Sequence, residues 1–127
     1  MKLVETGIEG LFVIEVRSFP DSRGYFYEGY NRKGLQSLGL DIDIVQTNIS
    51  KSQKDVVRGL HFQNPPFDQG KLIRVLNGAV LDVAVDLRRN SKTYGKHFAV
   101  ELTEENKKAL WIPSGFAHGF KTLTDDT

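Results

Sequence analysis

Hydrophobic and polar residues alternate over short stretches of the chain, and turn-forming residues separate these stretches. Alternation with a period of two is typical of half-buried β-strands, and short strands at regular intervals favour a sandwich or barrel. We therefore predict one all-β domain over residues 1–127, without a linker or an internal repeat. The predicted strands are Leu11–Arg17, Gly24–Tyr30, Ile42–Ser50, Asp55–Gln63, Lys71–Leu76, Ala79–Leu87, His97–Leu102 and a stretch around Leu110–Ile112.

Helical pattern is limited to two short segments. Asn31–Gly39 predicts a short helix that ends at Gly39, and Thr103 is expected to cap a single turn in which two acidic residues precede two basic ones. Neither segment is long enough to organise an α-helical fold.

Asn77 and Gly78 separate two segments that are rich in β-forming residues. Asn-Gly favours a two-residue type I′ turn because both residues tolerate a positive φ. We therefore predict a β-hairpin in which Lys71–Leu76 pairs with Ala79–Leu87.

The register of this hairpin brings two charged residues to one face. Lys71 and Asp82 become diagonal neighbours at about 7–8 Å. The opposite face carries Leu72, Leu76 and Leu81 and is expected to pack in the core. Lys71 and Asp82 then form either an exposed ion pair, which contributes little energy, or part of a polar cavity.

Composition narrows the possible functions. Hydrophobic residues make up 39% of the chain and charged residues 26%, and the net charge of +1 provides no broad cationic surface for nucleic acid. The absence of Cys excludes disulfides and fits a reducing compartment. The N-terminal segment lacks an uninterrupted apolar run, so we expect neither a signal peptide nor a membrane span, and a cytoplasmic location.

The segment RGLHFQNPPFDQGKLIRV contains a histidine and a lysine suited to proton transfer. Pro65-Pro66 must end the strand that carries His61, so His61 and Lys71 are expected on neighbouring strands. A neutral imidazole is a suitable base, and an ammonium group stabilises a developing oxyanion. Taken singly, His61 fits a structural role better, and the lysine expected nearby favours a functional one.

Arg58 belongs to the same strand as His61. Strict alternation would direct the two side chains to opposite faces. Gly59 lies between them and is a plausible bulge, which would change this arrangement.

The segment WIPSGFAHGF contains a Pro-x-Gly-x-x-His pattern that resembles the second cupin motif. Pro113 and Gly115 predict a tight turn, after which His118 lies on a strand and shares a face with Phe116 and Phe120. The alternative is a turn before a core strand whose histidine is simply hydrogen-bonded.

A catalytic metal is not expected. Metal-binding cupins need two closely spaced histidines in the first motif, whereas this chain offers His61 and Gln63 there. His97 lies in a separate strand and is expected at the surface.

A third group of candidates lies in the segments SFPDSRGYFYEGYN and VQTNIS. An aromatic surface beside an arginine and side-chain amides can stack a base, bind a pyrophosphate and form hydrogen bonds to ring edges. The alternative is a core strand with a polar edge. The candidate residues are Arg23, Phe26, Glu28, Gln46 and Asn48.

Together these segments resemble the dTDP-4-dehydrorhamnose 3,5-epimerases in order and spacing. The matching motifs are DSRGYFYE, QTN, RGLHFQ, QGKLIRV, DVAVDLRRNSKTYG and WIPSGFAHGF. The resemblance implies a cupin-like double-stranded β-helix (jelly roll), a homodimer and a dTDP-4-keto-6-deoxyhexose substrate in dTDP-rhamnose and surface-polysaccharide biosynthesis. It implies no cofactor, because the 4-ketone already acidifies the hydrogens on carbons 3 and 5.

The resemblance also assigns roles to the candidate residues. His61 becomes the proton acceptor, and Lys71 stabilises the enolate oxygen. Asp82 matches an acidic position near Lys71. The remaining substrate contacts implied are Arg58, His118, Gln46 and Asn48 for the sugar nucleotide, and Arg23, Phe26 and Glu28 for phosphate and thymine, in part from the partner subunit.

One departure from the family concerns the C-terminus. The family continues beyond the segment TLTDDT with a tyrosine proton donor and an aspartate that orients the base, so we expect a truncated chain that lacks the C-terminal part of the fold. The alternatives to a two-carbon epimerase are a single-carbon epimerase or ketoisomerase and a noncatalytic nucleotide-sugar binding domain. A metal-dependent oxygenase is disfavoured by the ligand set.

Overall fold

The computed structural model describes residues 1–127 as ten strands and one helix. The helix α1 spans Arg32–Ser37, and no helix is long and apolar enough to cross a membrane. The strands are β1 (Lys2–Glu5), β2 (Phe12–Glu15), β3 (Ser18–Asp21), β4 (Gly24–Tyr27), β5 (Val57–His61), β6 (Lys71–Arg74), β7 (Ala79–Asp86), β8 (His97–Thr103), β9 (Ala109–Ile112) and β10 (Phe116–Thr122).

Eight strands form two antiparallel sheets of four. The first sheet has the order β1-β2-β9-β6 and the second has the order β5-β10-β7-β8. Strands β3 and β4 pair only with each other. We call residues 18–29, which comprise this hairpin and the two residues after it, the arm.

The main hydrophobic core joins the two sheets. Leu110 and Ile112 of the first sheet are buried in one cluster with Val80, Ala84 and Phe116 of the second. On β7 the buried positions alternate with more exposed ones, because successive side chains point to opposite faces. The predicted all-β class is confirmed.

The hairpin predicted around Asn77 and Gly78 is wrong. Strand β6 pairs with β9, whereas β7 pairs with β8 and β10, so the two residues cross from one sheet to the other. Only Gly78 has a positive φ, at 75°, and a type I′ turn needs two. The Asn77 amide donates to the Asp126 carbonyl (2.8 Å), and the Gly78 carbonyl accepts from the Glu104 N–H (3.0 Å). These distant partners override the local turn preference.

The predicted packing face of β6 and β7 is also wrong. Leu76 and Leu81, which were expected in the core, are exposed, whereas Val80 and Ala84 on the other face are buried. Both faces of the predicted hairpin carry aliphatic residues, so the pattern did not identify the inner one. Asp82 is on this inner face and is fully buried.

The helix prediction is confirmed, and so is the single turn capped by Thr103, in which the Lys107 N–H donates to the Thr103 carbonyl (3.1 Å). The Asn31 side chain accepts from the Gly34 N–H (3.0 Å) at the start of α1, and Gly39, with φ of 85°, follows its end. The Thr103 segment is a turn, in which the Asn106 N–H donates to the Thr103 hydroxyl (2.9 Å).

The predicted strand Ile42–Ser50 is absent. Ile42 is buried against Leu35 of α1, but the segment forms no regular structure, and Val45 and Ile49 are exposed. A β-forming sequence becomes a strand only when another strand pairs with it, and alternation does not show whether that partner is present.

Asp86, the last residue of β7, fixes the loop that follows. Its carboxylate accepts hydrogen bonds from the Arg88 guanidinium (2.8 and 2.9 Å) and from the hydroxyls of Ser91 (2.6 Å) and Thr93 (2.7 Å). These bonds, that of Arg88 foremost, hold the pKa of the buried Asp86 well below its usual range. Arg88 also lies over the Phe116 ring at 4.7 Å, so the network supports the start of β10.

Candidate active site

Strand β10 lies at the centre of the candidate site, between β5 and β7. His118 is opposite His61 of β5 on one side and Ala84 of β7 on the other. The side chains of Phe116, His118 and Phe120 share one face, as the sequence predicted, because alternate residues point to the same side. That face is the inner one, since Phe116 and Phe120 pack in the main core.

The His118 imidazole is held by a buried carboxylate. Its Nε2 atom lies 2.9 Å from both carboxylate oxygens of Asp82, which is fully buried. A carboxylate bound to one ring nitrogen fixes the orientation of the ring and leaves the other nitrogen for a ligand. Asp82 therefore lies behind His118, and the substrate contact expected of Asp82 becomes an indirect one.

Gly59 determines which way Arg58 and His61 point. The pairing of β5 with β10 shifts between His118 and Phe120, so that Arg58 is opposite Phe120 while His61 is opposite His118. This bulge places both side chains on one face, as the sequence suggested. Gly59 has φ of 104°, and a Cβ there would come within 2.6 Å of the His118 carbonyl, so only glycine fits.

Arg58 has a defined anchor that the sequence did not reveal. Its guanidinium donates from Nε (3.1 Å) and Nη2 (2.9 Å) to the Ser52 hydroxyl, and from Nη2 to the Lys51 carbonyl (3.3 Å). Ser52 is buried in a segment without regular structure, so no periodic signal pointed to it.

Lys71 lies on the inner face of the sheet opposite the one that carries the histidines. It pairs with Ile112 of β9 and shares the inner face with Ile73, which packs against the main core. His61 and Lys71 are therefore on facing sheets, and the prediction of neighbouring strands is wrong. The predicted pair of Lys71 with Asp82 is not formed either, because both Asp82 oxygens bind His118.

Gln46 and Asn48 are joined to each other rather than placed on a strand. The Gln46 amide donates to the Asn48 side-chain oxygen at 2.9 Å, and both residues are exposed. Their side chains do lie on the same side of the chain, as the sequence suggested.

The arm presents an exposed aromatic surface. Phe26 is 70% exposed and is opposite Phe19 on the neighbouring strand. Arg23, at the turn, forms an exposed ion pair with Asp21 at 2.7 Å and lowers the pKa of that carboxyl. A cavity of about 320 Å³ lies along the arm and is lined by Met1, Arg17, Phe19, Phe26 and Glu28. The core alternative for this segment is therefore wrong.

The site combines the exposed His61 imidazole, the fixed His118 imidazole and the Lys71 ammonium group on the inner faces of the two sheets. No group of three or more His, Asp or Glu side chains is arranged to hold a metal ion, and His97 is exposed on β8, as expected. Such a set of side chains can remove a proton from carbon and stabilise the oxyanion that results.

Comparison with known proteins adds a consistent set of relatives. The sequence profile described as dTDP-4-dehydrorhamnose 3,5-epimerase matches residues 5–127. The dTDP-4-dehydrorhamnose 3,5-epimerase of Escherichia coli is 49% identical over 126 residues, which are 98% of this chain and 68% of that protein.

Two solved structures superpose closely on the chain. A dTDP-6-deoxy-D-glucose 3,5-epimerase from Legionella pneumophila, in complex with dTDP-4-keto-L-rhamnose, has a TM-score of 0.91 and 48% identity over 97% of this chain and 65% of its own. A 3'-monoepimerase from Streptomyces bikiniensis, in complex with dTDP-quinovose, has a TM-score of 0.87 and 33% identity over 94% of this chain and 61% of its own. The likeness confirms the cupin-like fold.

Proposed function

The chain belongs to the dTDP-4-dehydrorhamnose 3,5-epimerase family, and we propose that it is an isomerase in dTDP-rhamnose biosynthesis. Its substrate is dTDP-4-dehydro-6-deoxyglucose, and its product is dTDP-4-dehydrorhamnose. The observation that carries the proposal is the placement of His61 beside the Asp82–His118 pair, with Lys71 on the facing sheet.

His61 acts as the base. It is exposed at the inner face of β5, where a sugar can reach it, and a neutral imidazole is able to accept a proton from carbon. The 4-ketone acidifies the C–H bonds on both neighbouring carbons, so the same base serves carbons 3 and 5. Removal of either proton places negative charge on the ketone oxygen. A proton that returns from solvent to the opposite face of the same carbon restores the ketone and completes the inversion.

Lys71 stabilises this enolate oxygen from the facing sheet, where its ammonium group has no carboxylate partner. An unneutralised cation offers its full charge to a developing anion. His118 supports the reaction with the nitrogen that Asp82 leaves free, and it donates to or accepts from the sugar.

The nucleotide part is bound by the arm and by polar residues near β5. Phe26 stacks on the thymine, Glu28 and Arg23 contact the base and phosphates, and Arg58 contributes a guanidinium beside the diphosphate. Gln46 and Asn48 supply amides to the sugar nucleotide.

Proton exchange with heavy water tests the chemistry directly. In NMR of dTDP-4-dehydro-6-deoxyglucose incubated with the chain, we expect deuterium at carbons 3 and 5. His61→Asn should lower the exchange rate about 10²–10⁴-fold, and Lys71→Met about 10²–10³-fold. His97→Asn, an exposed histidine on β8, is the matched control and should exchange at the wild-type rate. Exchange that survives unchanged in His61→Asn refutes the assignment of the base.

The same spectra distinguish a second candidate function. The likeness to a 3'-monoepimerase favours inversion at carbon 3 alone as the alternative. Deuterium at carbon 3 without deuterium at carbon 5 would identify this activity. Binding without any exchange would identify a nucleotide-sugar binding domain.

We also propose that the chain acts as a homodimer in which the arm of one subunit completes the site of the other. The arm pairs with neither sheet of its own subunit, and its aromatic residues are exposed. Arg23→Ala and His61→Ala proteins, each weak alone, should then recover activity in mixed dimers. Verified heterodimers without recovery would contradict a shared site.

A further inference from the structure

Strand β6 carries two cations on opposite faces. Lys71 and Ile73 point toward the core between the sheets, whereas Leu72 and Arg74 point to the outer face of the first sheet. On that outer face, Arg74 is opposite Ala109, which belongs to the second hydrophobic cluster beneath α1.

Arg74 is bound to the base of the arm and to no carboxylate. Its Nη2 atom donates to the Gly29 carbonyl, and its guanidinium carbon lies 5.8 Å from the centre of the Tyr27 ring. Its Nε atom is buried without a hydrogen-bond partner, and burial lowers the pKa of Arg74. A half-buried charge without a carboxylate partner destabilises a fold relative to an apolar residue of the same size, so sheet stability does not account for Arg74.

The arm depends on such attachments for its direction. A two-stranded hairpin alone is marginally stable, and β3 and β4 pair with neither large sheet. Its other contacts to cations involve exposed rings: Arg17 lies 4.8 Å from the Phe19 ring, and Lys107 lies 4.2 Å from the Tyr25 ring. The Arg74 contact is the one made to a half-buried ring, that of Tyr27.

We infer that Arg74 is a positioning residue for the nucleotide: it holds the Gly29 carbonyl and the Tyr27 ring, and thereby fixes the angle at which the arm presents Phe26 and Glu28. This inference rests on the proposed function for the identity of the ligand. It also links the two parts of the site, because the strand that carries Lys71 inward holds the arm on its outer face.

The test compares Arg74→Met, which keeps the length of the side chain, with Arg74→Lys, which keeps the charge and one donor. Arg32→Met, an exposed arginine on α1 that pairs with Asp41, is the matched control. Hydrogen exchange of the peptide covering residues 18–30 reports the arm, and calorimetric titration with dTDP reports nucleotide binding. Both measurements are independent of turnover.

For Arg74→Met we expect amide exchange in residues 18–30 to rise about tenfold, and the Kd for dTDP and the KM to rise by a similar factor, as for loss of one hydrogen bond. Amide exchange in β5 and β10 and the value of kcat should stay within about threefold of the wild-type values. This is the spread expected of substitutions outside the reacting groups. Arg74→Lys should restore part of the affinity, and Arg32→Met should match the wild type.

Unchanged exchange in the arm, or exchange that rises equally in β5 and β10, would overturn the inference. If Arg74→Met does not fold, the same comparison is made with Arg74→Lys. For this variant we expect amide exchange to rise about threefold in the arm alone, because lysine lacks the forked donor geometry of the guanidinium. If the wild-type protein binds dTDP but incorporates no deuterium at the sugar carbons, the proposed chemistry is overturned. The role of Arg74 would remain supported by the amide-exchange and binding data.

Discussion

Replacing Asp82 with Asn tests whether the buried carboxylate acts through His118. The substitution preserves the shape of the side chain and removes its charge. Nε2 of His118 lies 2.9 Å from both carboxylate oxygens, and both residues are buried. The change therefore converts one charge-assisted hydrogen bond into a neutral one and leaves the surrounding packing in place.

The size of the effect follows from this conversion. A hydrogen bond to a charged group contributes about 1.5–3 kcal/mol and a neutral one about 0.5–1.5 kcal/mol. Because Asn still offers an oxygen acceptor, we expect Asp82→Asn to lower the free energy of unfolding by about 1–1.5 kcal/mol. If the orientation of His118 matters equally in the transition state, kcat/KM should fall about five- to tenfold.

Urea unfolding followed by the fluorescence of the single tryptophan, Trp111, measures the stability, and sugar deuteration measures the activity. The decisive control is the double variant with His118→Asn. If Asp82 acts only through His118, then Asp82→Asn should have no further effect on activity once the imidazole is gone. Equal losses in both backgrounds would refute the reasoning.

Three further predictions concern the arm, the bulge and the loop after β7. Phe26→Ala should weaken dTDP binding about fivefold or more, the equivalent of about 1 kcal/mol of stacking, without lowering the unfolding midpoint, since the ring is 70% exposed; equal affinity would reject the stacking role. Gly59→Ala should lower kcat/KM about 10²-fold, because its Cβ would meet the His118 carbonyl at 2.6 Å and displace His61. Gly95→Ala is the control and should remain active, since Gly95 also has a positive φ but open space around it. Asp86→Asn should destabilise the chain at neutral pH and make its stability depend less on pH. A lowered folded-state pKa contributes stability above a pH of about 4, and this stability is lost as the pH falls toward the folded-state pKa. Urea midpoints measured from neutral to acidic pH would contradict this if the wild type and the variant lose stability in parallel.

Local geometry explains what the sequence predicted well. The α1 cap at Asn31 and the bulge at Gly59 depend on the residue itself and its nearest neighbours. The glycine between Arg58 and His61 indicated the bulge that brings both side chains to one face. The motif around His118 was equally readable, since turn residues and alternation set its face.

Pairing between distant strands explains what the sequence did not predict. The Asn77–Gly78 corner has the composition of a hairpin turn, yet its partners are Glu104 and Asp126, which lie far along the chain. Lys71 was therefore assigned to the wrong neighbour, although its inward direction and its inclusion in the candidate site do not depend on that error. The partner of Asp82 was missed for the same reason, because His118 meets it only through the pairing of β10 with β7.

The pairing of β2 with β9 has a consequence for folding during translation. Strand β1 pairs only with β2, and Phe12 of β2 meets Trp111 of β9, so the first two strands lack their sheet partner until roughly 100 further residues are made. At about 5–20 residues per second, this interval lasts on the order of 5–20 s. During that time Val13 and Ile14, which are buried in the finished fold, stay exposed on a marginal two-stranded ribbon. We expect ribosome-bound chains to be cleaved by protease at β1 and β2 until β9 has emerged, so the first strands to be made are among the last to be protected.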